Sequence, residues 1–436
     1  TERRDGESDV QPQRICSPLR VTAITCDSHD GSYGRLLEWH TTTGQLRRWA
    51  MPMAMLSGNG EELRRILLEN GLTYISTRPA LRSLLCEYIS RSLPGRRVTC
   101  AEKTGWHNGV YVLPDEVIGP DGDNVILQGS HYLTGGFAQS GTLAEWQEQV
   151  AALCAGNSRL VFAVCCALAA PLLRLTGTGG GGFHLRGEST DGKTTVMKVA
   201  ASVCGGTDYW PSWRATGNAL EGIASRHNDA LLPLDELREV DPREAGMIAY
   251  MLANGQGKGR ARTDGEVRNR RHWTLLLFST GELSLAEHTE CAGERLYAGM
   301  DVRMVQIPSD TGQHGSFEQL HGFASGQQFA DTLCDRVARF HGTAFRAWLA
   351  FLTSDLDAST TLARELLRRY QTALMPDNAG NQVQRIVARF ALLAVAGEIA
   401  TLNGITGWQE GSAYGAVQIC LHAWLNERGH IANQED

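Results

Sequence analysis

The spacing of hydrophobic and polar residues predicts a mixed first part of the chain, an alternating middle and a helical end. Short apolar–polar runs separated by turn signals predict strands within residues 19–52. Apolar residues three and four positions apart predict helices at 61–69 and 79–92, and the runs VYVLP and NVILQG predict further strands. We therefore expect an α+β domain at 15–135, after a solvated tail at 1–14.

Two signals divide the rest of the chain. Thr142 and Glu145 form a capping-box pattern, and an all-apolar helix that should be buried begins after Ser158. The glycine-rich run at 176–182 cannot hold a helix and marks a boundary. The predicted divisions are connecting helices at 136–176, an α/β core at 177–316 and a helical lid or C-terminal region at 317–436.

Composition narrows the class of protein. Of 436 residues, 42% are hydrophobic and 20% are charged, which excludes wholesale disorder. The longest apolar run, 160–173, contains Pro171 and is shorter than the ~20 residues that cross a bilayer, so we expect no membrane partner. The cysteines include no C-x-x-C pair, which argues against a disulfide framework or a zinc ribbon and favours a reducing cytoplasm.

The most specific motif follows the strand-like run GFHLR. Residues 187–194 match G-x-x-x-x-G-K-[ST] and precede a helical run. Glycines let the backbone curl around an anion, amides at a helix N-terminus point at phosphates, and Lys193 supplies a positive charge, whereas Thr194 would ligate Mg²⁺. The alternative is an ordinary glycine turn. The predicted phosphate-binding residues are Gly187, Glu188, Ser189, Thr190, Asp191, Gly192, Lys193, Thr194 and Thr195.

An acidic pair follows a second apolar run. The run 230–234 ends in Asp235 and Glu236, an arrangement in which the aspartate holds Mg²⁺ and the glutamate orients and deprotonates the attacking water. This pattern indicates hydrolysis rather than phosphoryl transfer to another substrate. The alternative is that the pair opens a surface helix, because Pro233 is unusual within a central strand.

A further buried-strand pattern at 274–278 ends in Ser279 and Thr280, followed by Gly281 and Glu282. A polar side chain at this position could touch the γ-phosphate or the attacking water, so we interpret the run as a sensor strand. The alternative is a strand that ends in a hydrophilic turn.

A basic segment stands out in a chain whose net charge is −7. Residues 256–273 contain six basic and two acidic residues, and Asp264-Gly265 is a strong hairpin signal. The resulting ribbon could grip phosphates without reading bases. The alternatives are a solvated loop, or arginines that face a neighbouring subunit's nucleotide. The predicted nucleic-acid contacts are Lys258, Arg260, Arg262, Arg268 and Arg270.

Arg303 lies in an apolar strand pattern at 299–308. A ring ATPase places such an arginine at the ATP site of the next subunit, where it stabilises transition-state charge. Arg295 is an equally basic neighbour, and an intrachain salt bridge is the alternative for both residues.

Taken in order, several motifs resemble one family over nearly the whole chain. They are GESTDGKTT, LLPLDEL, GQGKGR, FSTGE, VRMVQIP, RFALLAVAGE and, nearer the N-terminus, GRLLEW and GWHNGVYVLP. This is the domain-of-unknown-function nine-two-seven family of replicative helicases carried by phages, plasmids and staphylococcal cassettes, which is similar to the minichromosome maintenance AAA+ helicases. The resemblance implies an α/β fold with a P-loop AAA+ ATPase core, an N-terminal α+β domain and a C-terminal helical region.

The same resemblance implies a function. The chain would be an ATP-dependent, ring-forming DNA helicase for replication of a mobile genetic element, with ATP and Mg²⁺ bound, copies of itself in a hexamer, and a primase as a further partner. The implied catalytic residues are Lys193, Asp235, Glu236, Ser279 or Thr280, and Arg303 acting in trans. Arg385 and Arg389 are candidates for a second sensor arginine, with packing arginines as the alternative.

Two other functions remain open on the sequence. One is a nucleotide-gated loader or switch that binds DNA and recruits a primase without unwinding. The other is a protein-remodelling ATPase, whose pore would prefer aromatic residues, whereas the basic segment offers only Trp273. DNA should accelerate hydrolysis in a helicase, gate assembly in a loader and do little in a remodelling enzyme.

Overall fold

The chain forms two compact units in its computed structural model, which describes residues 12–128, 136–261, 267–268, 270–293, 298–429 and 431. The first unit consists of Thr1–Glu102 and Asp123–Tyr132, and the second of Lys103–Gly122 and Leu133–Asp436. The segment Lys103–Gly122, which the sequence analysis placed in the N-terminal domain, therefore packs within the second unit.

The strands are short and occur in both units. In chain order they are β1 (Arg20–Cys26), β2 (Gly34–His40), β3 (Leu46–Pro52), β4 (Arg97–Ala101), β5 (Gly105–His107), β6 (Val110–Val112), β7 (Val117–Ile118), β8 (Val125–Leu127), β9 (Gly181–Arg186), β10 (Leu231–Leu234), β11 (Arg260–Ala261), β12 (Val267–Arg268), β13 (Leu276–Gly281) and β14 (Met304–Pro308).

The helices dominate the second half of the chain. They are α1 (Glu61–Glu69), α2 (Pro79–Arg91), α3 (Leu143–Trp146), α4 (Ala152–Cys154), α5 (Ser158–Ala169), α6 (Leu172–Thr176), α7 (Lys193–Cys204), α8 (Gly217–Arg226), α9 (Pro242–Asn254), α10 (Leu285–Glu290), α11 (Ala298–Asp301), α12 (Gly326–Arg339), α13 (Thr343–Ser354), α14 (Leu356–Leu374), α15 (Asn381–Leu402) and α16 (Ser412–Arg428). A π-helical segment, Gln147–Ala151, joins α3 to α4, and the capping box of Thr142 and Glu145 forms as predicted.

The first unit is a mixed sheet covered by two helices. Its strand order is β3-β2-β1-β4-β8, with antiparallel pairing from β3 to β1 and parallel pairing from β1 to β8. Trp39 and Trp49 from the sheet pack with Leu63 and Leu67 of α1 and with Leu85 of α2. The apolar faces that the spacing predicts therefore meet in one core.

The second unit is built around a parallel sheet of order β10-β13-β9-β14. Helices cover both faces, so the strands are almost wholly buried, as expected for parallel sheets. Strand β13 lies between β9 and β10, so the predicted sensor strand, rather than the strand before the acidic pair, is the immediate neighbour of β9. The carboxyl ends of all four strands lie at one edge of the sheet.

Pro233 fits within β10 because of the direction in which its missing N–H would point. The Asp235 N–H bonds the Pro211 carbonyl, on the side of β10 away from β13. Residues two apart along a strand direct their N–H groups to the same side. The proline therefore removes no hydrogen bond to β13, and the predicted strand is compatible with it.

Helix α5 lies at the centre of the second unit's core. Every one of its residues is buried, as its apolar composition predicts, and it packs against α7, α15 and α16. The sequence analysis assigned this helix to a connection between domains, but the structure places it among the core elements. Among the described residues, no helix combines the length and the apolar character that a membrane span requires.

Candidate nucleotide-binding site

The loop between β9 and α7 forms a tight turn before the helix. Strand β9 ends at Arg186, α7 begins at Lys193, and Thr190 and Gly192 have φ values of 67° and 89°. The first N–H groups of a helix have no intrahelical partner. The loop and helix therefore present backbone donors and a positive dipole end to an anion.

Both motif glycines have no room for a side chain. A Cβ on Gly187 would overlap the Ser309 hydroxyl, which itself donates to Asp191. A Cβ on Gly192 would come within 2.7 Å of Phe317 Cζ, and its positive φ disfavours other residues. The loop conformation therefore depends on glycine at these two positions.

Gly187→Ala is expected to weaken nucleotide binding about tenfold, because its Cβ would displace the side-chain oxygens of Ser309 and Asp191 in the loop, and relieving such an overlap costs about 1–3 kcal/mol. Isothermal titration with ADP measures the effect. Gly179→Ala is the matched control, since a Cβ there meets no atom within 4 Å. Equal affinities of the two variants would contradict the role of Gly187.

Lys193 turns back over the loop. It is buried, and its Nζ donates to the carbonyl oxygens of Gly187, at 2.9 Å, and Glu188. The ammonium group is therefore held at the mouth of the curl formed by the loop. This is the position from which a lysine can reach the phosphates of a nucleotide.

A cavity of about 610 Å³ opens beside this loop. One side is formed by residues 188–195, and the far wall by a segment at 314–331 that leads into α12. Glu236, Thr280 and Glu282 line it at the carboxyl edge of the sheet. The predicted phosphate loop, acidic pair and sensor strand thus meet in one place.

Asp235 bonds two other predicted site residues. Its Oδ1 accepts hydrogen bonds from the Thr280 hydroxyl at 2.5 Å and from the Thr194 hydroxyl at 3.4 Å. A hydroxyl and a carboxylate so close together match the few oxygen ligands that Mg²⁺ takes from a protein when phosphates and water supply the rest. The residues present therefore fit a magnesium ion bound together with a nucleotide.

Glu236 adopts an unusual conformation at the edge of the cavity. Its φ is 56°, and its N–H donates to the Thr280 hydroxyl at 3.3 Å. Its Oε1 is buried and has no hydrogen-bond partner among the described residues. Strained backbone and unsatisfied buried oxygens concentrate at functional sites.

Ser279 and Thr280, alternatives in the sequence analysis, point in different directions. Both lie within β13, which extends to Gly281 rather than ending at 278, so their side chains alternate across the sheet. Thr280 lines the cavity, whereas the Ser279 hydroxyl lies 2.9 Å from both Trp213 Nε1 and His184 Nδ1. The structure therefore brings Thr280, and not Ser279, to the acidic pair.

The hydrogen bonds around Ser279 form a continuous linear chain. Trp213 donates to Ser279, Ser279 donates to His184 Nδ1, and His184 Nε2 donates to the Leu283 carbonyl at 3.0 Å. This direction requires a neutral imidazole. Burial lowers the pKa of His184 to about 4, which keeps it neutral at pH 7.

The buried histidine should make stability depend on pH. The pKa of His184 falls from 6.5 to about 4 on folding, so only the unfolded chain takes up this proton between those values. The free energy of unfolding should therefore decrease as pH falls from 6.5 to 4, by up to about 1.4 kcal/mol per pH unit from this group. We measure the free energy of unfolding by urea titration at several pH values. Its dependence on pH should be weaker for His184→Asn than for the wild type, and unchanged for the exposed control His422→Asn. Identical slopes for all three proteins would contradict this account.

Arg303 lies at the opposite edge of the sheet from the phosphate loop. The predicted strand at 299–308 begins only at Met304, which pairs with Gly182 near the start of β9. Strand rise puts Arg303 roughly 15–20 Å from the loop that follows β9. Its guanidinium donates to the Gly299 carbonyl at 2.7 Å and lies over the ring of Tyr250, and neither contact is a salt bridge.

Arg389 packs within the fold, away from the cavity. It is buried, and it donates to the carbonyls of Val302 and Gly180 at the amino edge of the sheet, both at 3.1 Å. Burial lowers the pKa of this guanidinium to about 10. Arg385, the other candidate, is exposed on α15. Neither residue lines the cavity.

The basic segment forms an antiparallel ribbon. Arg260 pairs with Arg268 and Ala261 with Val267, and Trp273 anchors the base by donating to the Leu252 carbonyl at 3.0 Å. Lys258 and Arg270 are exposed. Residues 262–266, with the predicted turn and Arg262, lie outside the described residues, as do Arg295 and the side chains of Arg260 and Arg268.

Sequence reasoning missed several residues that contribute to the site. Trp213 and His184 hold Ser279, and the far wall of the cavity includes His314, Gln327 and Asp331. No motif marks these positions, since they are distant from the phosphate loop in sequence. Only the packing of α12 against α7 brings the far wall beside the loop.

Comparison with solved structures identifies a shared fold. The chain matches SCCmec type IV Cch, described as an active helicase, with a TM-score of 0.72 at 19% sequence identity, over 97% of this chain and 75% of that one. The predicted α/β class is confirmed, because the chain has this mixed fold of helices and sheets. No curated protein matches significantly.

Two further solved structures are much less similar to this chain. NtrX from Brucella abortus in complex with ADP has a TM-score of 0.21 at 16% identity, covering 60% of this chain and 68% of that one. The C-terminal region of NrS-1 has a TM-score of 0.29 at 8% identity, covering 94% of this chain and 91% of that one.

By contrast, one family model matches residues 1–272, more than half of the chain, including the phosphate loop and the acidic pair. The chain therefore belongs to the family described as Domain of unknown function (DUF927).

Proposed function

We propose that the chain is an ATP-dependent, ring-forming DNA helicase that serves replication of a mobile genetic element. The observation that carries this proposal is the meeting at one cavity of Lys193, Thr194, Thr280, Asp235, which bonds both threonines, and Glu236, whose Oε1 has no hydrogen-bond partner among the described residues. These groups provide phosphate binding, metal ligation and a base, which together suit hydrolysis of a nucleoside triphosphate.

Each of these residues has a defined role in hydrolysis. Lys193 and the loop amides hold the phosphates, and Thr194 with Asp235 would hold Mg²⁺, which when bound neutralises phosphate charge. Glu236 accepts a proton from water as the water oxygen bonds to the γ-phosphorus, and the bond from that phosphorus to the bridging oxygen breaks to release ADP. Thr280 positions the Asp235 carboxylate and the Glu236 backbone through hydrogen bonds of its hydroxyl.

The order of strands supports assignment of 177–316 as an AAA+ core similar to that of minichromosome maintenance helicases. The sensor strand lies between the loop strand and the acidic strand, and Ser212 adds a parallel bridge to Asp235 beyond β10. In the same proposal, the first unit is the N-terminal α+β domain, α5 belongs to the core rather than to a connection, and 317–436 is the helical lid or C-terminal region.

The position of Arg303 supports ATP sites at subunit interfaces. Because it lies at the edge of the sheet opposite the phosphate loop, it is too far away to act on its own chain's nucleotide. An arginine so placed can stabilise transition-state charge only in a neighbouring copy. We therefore propose a homo-oligomeric ring, a hexamer, with Arg303 acting in trans.

The basic segment that includes β11 and β12 is the proposed DNA contact, through Lys258, Arg260, Arg262, Arg268 and Arg270. Replacing exposed Lys258 and Arg270 with alanine should weaken binding to single-stranded DNA and reduce the slope of log affinity against log salt by about 1 for each lost phosphate contact. Fluorescence anisotropy across salt concentrations measures both effects. Exposed Arg47→Ala in β3 is the control. A slope unchanged by the ribbon variants would rule out this contact.

The decisive experiment is the steady-state ATPase rate with and without single-stranded DNA at low salt. Stimulation that disappears in Lys193→Ala and Glu236→Gln supports a DNA-coupled motor, and unwinding of a forked duplex is then measured. If hydrolysis requires Lys193 but is not accelerated by DNA, the DNA-coupled motor is wrong and the nucleotide-gated loader is favoured. A primase is a proposed partner in either case.

A further inference from the structure

The cavity continues beyond the groups that the hydrolysis uses. Its lining includes Glu236, Thr280 and the phosphate loop. His314 and the first turns of α12, here called the α12 end, also line it and have no part in the proposed hydrolysis. Once phosphates occupy the loop and water lies near Glu236, the α12 end is the lining left for the nucleoside.

The α12 face at that end is flat and bordered by polar groups. Gly326 and Ala330 are four residues apart, so they lie on one helical face with little side-chain bulk. Gln327 and Asp331 repeat the same spacing on the adjoining face and also line the cavity. Small residues leave room for a sugar or a planar base, and the amide and carboxylate supply polar contacts at its edge.

Cys334 fixes where Asp331 lies relative to the phosphate loop. Its Sγ lies 3.6 Å from the Thr195 hydroxyl and 3.9 Å from Lys198 Nζ, both on α7. Asp331 precedes Cys334 by three residues, on the same side of α12 and one turn nearer the start of that helix. It therefore flanks the first turn of α7, where the phosphate loop ends.

The chemistry of the carboxylate limits what it can bind. An ionised aspartate accepts hydrogen bonds and repels phosphate, so it fits a group with two adjacent donors. Within a nucleotide, the ribose 2′ and 3′ hydroxyls provide such a pair beside the α-phosphate. Carboxylates bind ribose hydroxyls in this way in dinucleotide sites.

We infer that Asp331 is a specificity-determining residue that accepts the ribose hydroxyls and restricts the site to ribonucleotides over deoxyribonucleotides. This inference rests on the proposed function, since it takes the phosphate loop to hold a nucleotide. It goes further by naming the sugar as the part of the ligand that the α12 face selects. A protein that works on DNA amid deoxynucleoside triphosphates would thereby avoid consuming them.

The test compares the binding of ADP, 2′-deoxy-ADP and 3′-deoxy-ADP by isothermal titration, because these ligands cannot be hydrolysed at the γ-phosphate. The wild-type chain should bind ADP roughly tenfold or more tightly than either deoxy form, as expected for a hydrogen bond to a charged group. Asp331→Ala should lower ADP affinity by the same factor and make the three affinities nearly equal. Asp335→Ala, exposed one turn further along α12, should retain the preference.

A second variant separates loss of the sugar contact from loss of the binding surface. Ala330→Leu should lower the affinity for all three ligands by a similar factor, because the leucine fills the small-residue face of α12 without removing the Asp331 carboxylate. If the wild-type chain binds the three ligands equally, or if Asp331→Ala keeps the preference, the inference is wrong, while ADP binding that Lys193→Ala abolishes leaves the proposed function intact. Absence of ADP binding by the wild-type chain would overturn both.

Discussion

Glu236→Gln is expected to reduce ATP hydrolysis about 10²- to 10⁴-fold, the range typical for loss of a general base. Glutamine has nearly the same shape but cannot accept the proton from the attacking water. Nucleotide affinity should be unchanged or higher, because the substitution removes a negative charge from a cavity that binds a polyanion. Single-turnover hydrolysis and ADP titration on the same preparation measure the two quantities.

Glu282→Gln is the matched control for this prediction. Glu282 lines the same cavity, but its carboxylate pairs with Arg238 at 2.5 Å, whereas Glu236 Oε1 has no partner among the described residues. Its replacement should change hydrolysis only a few-fold, since an exposed ion pair contributes about 0–1 kcal/mol. Equal losses in both variants would show that cavity charge, rather than a base at Glu236, governs the rate.

Arg303→Ala is expected to reduce hydrolysis about 10³-fold or more, as for other arginines that act on a transferring phosphoryl group from a neighbouring subunit. The physical reason is that the variant's own phosphate loop remains intact while the neighbour's transition state loses a positive charge. ADP affinity should change little. Arg385→Ala removes an exposed arginine from α15 and should leave the rate at the wild-type level.

Mixing two inactive proteins tests whether Arg303 acts between subunits. Lys193→Ala protein retains Arg303, and Arg303→Ala protein retains the phosphate loop. In mixed rings, some interfaces combine both intact parts, so activity should reappear and depend on the mixing ratio. If the mixture stays inactive although it assembles, or if Arg303→Ala hydrolyses ATP normally, the proposed role of Arg303 is wrong.

Local sequence was sufficient to predict the elements that carry the site. The strand, loop and helix around 187–194, the capping box at Thr142, the buried helix α5 and the antiparallel ribbon of the basic segment all follow from spacing and residue type, because each depends on neighbours within a few positions. The start of β14 was predicted wrongly. Residues Ala298–Asp301 form α11 and Arg303 precedes the strand, since apolar runs do not distinguish a short helix from a strand.

The sequence by itself determined the chemistry available: a phosphate loop, an acidic pair, a polar strand end and a basic ribbon, each encoded by adjacent residues. Only the tertiary structure decided which side chains meet. It places Thr280 beside Asp235 and Ser279 beside His184. It also places Arg303 at the edge of the sheet opposite the phosphate loop, and Asp331 in the lining of the cavity. These outcomes depend on strand order and on helix packing between segments 45 to 139 residues apart in sequence, which a local pattern does not contain.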